Sequence, residues 1–267
     1  MVSSNFRRLF HRPRSTTTQN GTDGPLYFLH IEKTAGTSFA SVLKQLCGPG
    51  EGHKSLDLDH ISATQSLANP AIRYSIIRGH LRYEAVKHLL PAGTRRVTML
   101  REPVARTISH LLHIQRHPEQ NRFLEQFAPI SKMSLKELLE HNIVRAYLTN
   151  FQAKKLALPY TPGRQGAEHA INAMLSLTSA MDKGLLEHAL LNLSKFDFVG
   201  ISERFEESSA RLCRTLGYET VTTIPMLNQA PKVQINQMID NESAIKSTIM
   251  EMTQLDYTLY TRANEQI

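Results

Sequence analysis

Cysteine is nearly absent: Cys47 and Cys213 are the only two in 267 residues. They stand far apart, so there is no CxxC pair, no zinc framework and no disulfide scaffold, and the chain is expected to be reduced and intracellular. Both fall among apolar helical residues and read as packing residues. Long apolar runs are missing too. No stretch reaches the roughly 18 residues a membrane span needs, and Val2, Phe6, Leu9 and Phe10 are too scattered for a signal peptide. The expectation is a cytoplasmic protein with no membrane span. Acids are absent from the first 22 residues, which hold Arg7, Arg8, Arg12 and Arg14. The net charge is +7, so removing these four arginines leaves +3 for the remainder. A mildly basic folded part argues against a nucleic-acid surface and leaves room for a local anion pocket. With 41% hydrophobic and 21% charged residues, disorder of the whole chain, a coiled coil and a low-complexity polymer are excluded. No internal repeat is present.

Residues 1–24 are rich in Ser, Thr, Asn, Arg and Gly without sustained periodicity and read as a disordered basic tail. Residues 25–267 read as one domain. Short apolar runs at Leu26–Ile31, Tyr74–Ile77, Val97–Leu100 and Phe196–Ile201 predict strands; the second ends at Arg78-Gly79-His80, and the other three lead through a turn into a helical pattern. Ser38, Phe39, Val42, Leu43 and Leu46 mark the first helix. Pro103, well suited to a first helical turn, precedes Val104, Ile108, Leu111 and Leu112. Ser134 with Glu137 forms a capping box. Helical stretches are expected near 141–155 and 167–194, a further helix carries Phe205, Leu212 and Leu216, and a last long one is marked by Ile245, Ile249, Met252, Leu255 and Leu259. The fold class is therefore α/β, a central parallel sheet flanked by helices with right-handed crossovers.

In such sheets ligands bind beyond the carboxyl ends of the strands, and three strand-to-helix handovers carry the chemistry. In His30-Ile31-Glu32-Lys33-Thr34-Ala35-Gly36-Thr37-Ser38, helix-start amides, a lysine and hydroxyls converge, as a phosphate-like dianion requires; the alternative is a polar turn with a capping threonine. The GxxxxGK[ST] order of nucleoside-triphosphate loops is not met, because Lys33 precedes the only glycine and no Mg²⁺ aspartate stands out. At the second handover, Arg101 would fork onto a second anion, with Ser109 two helical turns on, or else pair with Glu102 or another acid. The third, Arg78-Gly79-His80, puts an imidazole at a strand end, where it is either structural or a base for an attacking hydroxyl. His110, His113 and His117 share a helix, but no Cys, Asp or Glu completes a ligand set. They are expected to form a polar helix face near the acceptor crevice, and no metal is expected.

These residues carry a resemblance. YFLHIEKTAGTSF resembles the 5′-phosphosulfate loop of sulfotransferases that use 3′-phosphoadenosine 5′-phosphosulfate (PAPS), and VTMLREPVARTISHLLH resembles their 3′-phosphate motif, with the same Arg-to-Ser spacing. RGHLRYEAV, FDFVGISERFEES and LDYTLYTRANEQI are similar to segments of carbohydrate sulfotransferases of the heparan sulfate 2-O-sulfotransferase type. The resemblance spans roughly residues 26–262 and implies a P-loop-like three-layer fold.

It also implies roles. Lys33 would stabilise charge on the leaving phosphate, with Thr34, Ala35, Gly36, Thr37 and Ser38 around the 5′-phosphate and Arg101 and Ser109 on the 3′-phosphate. His80 matches the second histidine of the family's His-Gly-His segment, the base that deprotonates the acceptor hydroxyl. Arg78 replaces the first histidine, Glu32 a commoner proline and Glu102 a commoner aspartate. Met226 to Lys232 resembles a loop closing over the nucleotide, with Asn228 and Lys232 as candidates. The implied acceptor is a carbohydrate or other hydroxyl compound. A nucleotide-dependent kinase and a noncatalytic nucleotide- or sulfated-glycan-binding module are the other readings the sequence leaves open.

Overall fold

The computed structural model describes residues 24–47, 54–59, 61–69, 72, 74–126, 129–159, 183–218 and 243–265. The basic tail up to residue 23, the part of the 167–194 stretch before Lys183 and the whole of 226–232 lie outside them. Five parallel strands form one sheet in the order β2-β3-β1-β4-β5. They are β1 (Leu26–Leu29), β2 (Ser55–Asp57), β3 (Ile76–Gly79), β4 (Arg95–Leu100) and β5 (Phe198–Ile201).

Alternation along the strands builds a layer on each side. Leu26, Phe28, Ile76, Val97, Met99 and Phe198 point to one face, where α1 (Gly36–Cys47) and a later helix (Phe205–Leu216) cover them. Tyr27, Leu29, Ile77, Leu100, Val199 and Ile201 point to the other. There they meet α2 (Tyr83–Val86), two helices at Phe151–Ala157 and Lys183–Leu193, and the last described helix (Gln254–Asn264). The result is the expected helix-sheet-helix sandwich. A satellite core forms between α3 (Pro103–Arg116), the helices Leu135–Glu140 and Asn142–Leu148, and Ser243–Met252. Among the described residues no helix is long and apolar enough to cross a membrane. After α3 the described α-helices are named in chain order α4 (Arg122–Glu125), α5 (Leu135–Glu140), α6 (Asn142–Leu148), α7 (Phe151–Ala157), α8 (Lys183–Leu193), α9 (Phe205–Leu216), α10 (Ser243–Met252) and α11 (Gln254–Asn264).

The capping signals operate as read: Ser134 and Glu137 exchange both bonds of the box. Glu102 accepts from the amides of Val104 and Ala105 ahead of Pro103. Three expectations are corrected. The third strand runs two residues later than the apolar run suggests, because Leu58 beyond β2 continues the ladder, its N–H donating to the Arg78 carbonyl at 2.6 Å. The stretch 141–155 is two helices, broken at Asn150, which adopts the left-handed conformation that asparagine tolerates. The last long helix is also two, α10 and α11. Asn150 causes that break as well: its N–H donates to the Met252 carbonyl (3.0 Å), and its Oδ1 accepts the Leu255 N–H that opens α11 (3.1 Å).

Candidate active site

Strands β3, β1 and β4 are neighbours, so their three C-terminal handovers open onto one edge of the sheet. At the centre, Lys33 and Ala35 both take positive φ, 70° and 62°. Thr34 between them is fully buried and donates its hydroxyl to the Ile31 carbonyl at 2.8 Å. The loop thereby turns directly into the N-terminus of α1, where Gly36, Thr37 and Ser38 occupy the first turn. A curled backbone leading into a 12-residue helix aims amides and the helix dipole at one point, a setting for an anion.

Gly36 is required by its neighbour. A Cβ there would lie 1.8 Å from His30 Nε2 and 1.9 Å from its Cδ2. The His30 ring also stacks on Phe28 (centroids 5.2 Å) and lies 4.2 Å from the His80 ring. The Gly36→Ala variant is expected to push the imidazole out of this stack. Its thermal unfolding should show a loss of about 1–3 kcal/mol, the usual cost of overpacking, with weakened nucleotide affinity in parallel titrations.

Arg101 reaches back from β4 to the central loop. Its Nη1 donates to the Lys33 carbonyl at 3.0 Å, and its Nε lies 3.7 Å from Glu203. Gln152 of α7 grips the backbone of Arg101 with both ends of its amide, Oε1 accepting from the N–H (3.0 Å) and Nε2 donating to the carbonyl (2.9 Å). Gln152 is held in turn by the fully buried Asp256, whose carboxylate accepts the amides of Gln152 (3.1 Å) and Ala153 (2.8 Å). Burial, reinforced by Arg101, pulls the Lys33 ammonium down to about 8 against the pull of Glu32. The α3 helix buries most of its length. Ala105, Ser109 and His113 form a partly exposed stripe one turn apart. Burial and then the Lys33 charge bring His113 down to about 4.

His80 is held at three points. Asp59, just past β2, accepts from its backbone N–H (3.2 Å) and bonds its ring Nδ1 (2.7 Å) through one carboxylate oxygen. Lys155 of α7 donates to its carbonyl (2.5 Å) and also to Glu32 (2.7 Å), which joins the His80 segment to the central loop. Burial, then His80 and Lys155, holds His30 neutral, at about 3. Arg78 is pinned to Asp57, its partner in the β2–β3 register. Gly79 between them leaves no room for a side chain, since a Cβ would approach the Leu58 carbonyl carbon to 2.4 Å.

Lys33, Thr34, Ala35, Gly36, Thr37, Ser38, Arg101, Ser109 and His80 thus line three neighbouring handovers, with direct bonds joining the Lys33 loop to Arg101 and, through Lys155, to His80. Two readings change. His110 is buried, accepting from Arg106 Nη1 (3.0 Å) and packing edge-on against Tyr147 and Phe151, so only His113 and His117 keep to the polar face. Cys213 is buried as expected and Cys47 is half-buried.

A family model described as "Sulfotransferase family" matches residues 16–261. The chain belongs to the sulfotransferase family. It is accordingly an enzyme of sulfuryl transfer, in a family whose donor is PAPS. Two solved structures are similar to it: a sulfotransferase from Alicyclobacillus acidocaldarius (12% identity, TM-score 0.40, covering 90% of this chain and 100% of that one) and mouse sulfotransferase SULT7A1 complexed with PAP (14% identity, TM-score 0.39, covering 82% of this chain and 63% of that one). No curated protein matches the sulfotransferase chain.

Sequence reasoning missed Asp59, Gln152, Lys155 and Asp256. Glu203, just past β5, accepts from the Glu102 N–H at 3.2 Å besides facing Arg101. Tyr260 hydrogen-bonds Glu203 as well.

Proposed function

We propose that the enzyme transfers the sulfuryl group of PAPS to a hydroxyl of a carbohydrate or glycoconjugate. His80 is the base, Lys33 the cation on the leaving side, and Arg101 with Ser109 the holder of the 3′-phosphate. The observation that carries this is the joining of three handovers by α7: Gln152 fixes Arg101, Lys155 fixes both Glu32 and His80, and the donor loop lies between them.

The chemistry follows from these positions. The amides at the start of α1 and the hydroxyls of Thr37 and Ser38 surround the 5′-phosphate, where the helix dipole favours negative charge. The partly exposed Ser109 stripe and the Arg101 fork stand at the adjoining turn, suited to a second phosphate. In-line displacement forms the bond from the acceptor oxygen to sulfur as the bond from sulfur to the bridging oxygen breaks. The acceptor proton passes to His80, and the electron pair stays on the phosphate oxygen, next to Lys33.

Calorimetric titration with 3′-phosphoadenosine 5′-phosphate (PAP), with ADP as the control, tests the donor side. PAP is expected to bind at least tenfold more tightly than ADP, and the Arg101→Ala variant is expected to lose most of that preference. Equal affinity for the two nucleotides in the wild type would overturn the assignment of Arg101.

A further inference from the structure

His80 directly follows β3, beside the short edge strand β2, and the ladder between the two strands continues past both. Leu58 N–H donates to the Arg78 carbonyl and Leu81 N–H to the Leu58 carbonyl (3.2 Å). That continuation fixes Asp59 opposite His80, two residues beyond the Asp57–Arg78 pair. One oxygen of Asp59 then meets both the backbone N–H and the ring Nδ1 of the same histidine.

We propose that Asp59 is a positioning residue for His80: it holds the imidazole in the Nδ1–H tautomer, so that Nε2 faces the acceptor unprotonated, and it balances the imidazolium formed when the acceptor proton arrives. This rests on the reading of His80 as the base. An ionised carboxylate only accepts hydrogen bonds, so a proton between Asp59 and the ring belongs to Nδ1. Burial opposes ionisation of Asp59, but its hydrogen bond and attraction to His80 prevail and hold the carboxyl below its ordinary range.

The other groups around the ring do not offer this service. His30 lies tilted against it as a neutral imidazole. Lys155 contacts the His80 carbonyl and is engaged with Glu32, and the Arg78 guanidinium is taken by Asp57. Among the described residues, Asp59 is the carboxylate that the ring contacts. A histidine steered by a carboxylate in this way is the recurrent solution wherever one ring nitrogen must be kept free for proton transfer. Here the carboxylate comes from just past an edge strand of three residues rather than from the loops that carry the family's motifs.

The test is ¹⁵N NMR of the imidazole nitrogens in the full chain without nucleotide, with the His80 signals assigned by their loss in His80→Ala. The wild type is expected to show the Nδ1–H tautomer. Asp59→Asn should shift the population toward Nε2–H, and Asp59→Glu, which keeps a carboxylate, should restore Nδ1–H. Turnover is followed as PAP release from PAPS, with 4-nitrophenyl β-D-glucoside as the hydroxyl probe. It should fall about 10–100-fold in Asp59→Asn with PAP affinity unchanged. Adding Asp59→Asn to His80→Ala should cost nothing further. An Nε2–H tautomer in the wild type, or an additional loss in the double variant, would overturn the proposal. Normal turnover by His80→Ala would instead remove the base reading and leave the tautomer result to stand by itself.

Discussion

Turnover of the Lys33→Met variant is expected to fall about 10²–10³-fold, the usual consequence of removing one group that meets charge developing in a transition state. The loss should appear mainly in kcat, because charge accumulates on the leaving oxygen only as the bond to sulfur breaks. Affinity for PAP should fall much less, since the α1 amides and Arg101 remain. The same side chain sets a pH limit. An ordinary lysine keeps its proton to about 10.5, but burial brings Lys33 to about 8, so the free enzyme loses this cation as pH rises through that value. PAP affinity and kcat/KM are expected to decline above pH 8, with binding there taking up a proton, and calorimetry in buffers of different ionisation enthalpy would measure the uptake. Lys33→Arg, which stays charged, should remove the alkaline decline. A flat profile to pH 10 in the wild type would contradict the role given to burial.

Replacing His80 by alanine is expected to lower kcat by about 10²–10⁴-fold, the range associated with a positioned general base. PAP should bind the variant as it binds the wild type, because the contacts of His80 run to Asp59, His30 and Lys155 and not to the Arg101 turn. Measuring single-turnover transfer beside PAP titration separates the two effects. Unchanged transfer would sink the base assignment; lost nucleotide affinity would show that His80 supports the donor loop through the His30 stack.

Four of the five strands and the three handovers could be read from the sequence, because buried parallel strands write themselves as short apolar runs and the loops carry compact motifs. The strand Ser55–Asp57 could not, since it is an edge strand with two exposed positions and a single leucine. Missing it also hid Asp59 and placed β3 two residues early. Gln152, Lys155 and Asp256 escaped for a different reason. Their partners are Arg101, Glu32 and His80, and the amides of α7, all distant in sequence, and a glutamine or lysine on a short amphipathic helix gives no local sign of such duties. Asn150 is similar: a lone asparagine inside a helical pattern does not announce that it will turn left-handed and open another helix from outside. His110 misled in the opposite direction, because helical spacing gathers it with His113 and His117 while the tertiary fold turns it onto Arg106, Tyr147 and Phe151.

The bond from Asp256 to the start of α7 has a consequence in time. A ribosome completes Arg101 and Gln152 well before it reaches Asp256, and synthesis advances at only about 5–20 residues per second. Until that carboxylate emerges, the first amides of α7 lack their acceptor and Gln152 lacks its anchor, so the turn that carries Arg101 is left without its latch. The nascent chain is therefore expected to pass through a stage in which the strands and the Lys33 loop have been made but the turn that carries Arg101 is not yet latched, a stage that ends with the arrival of α11.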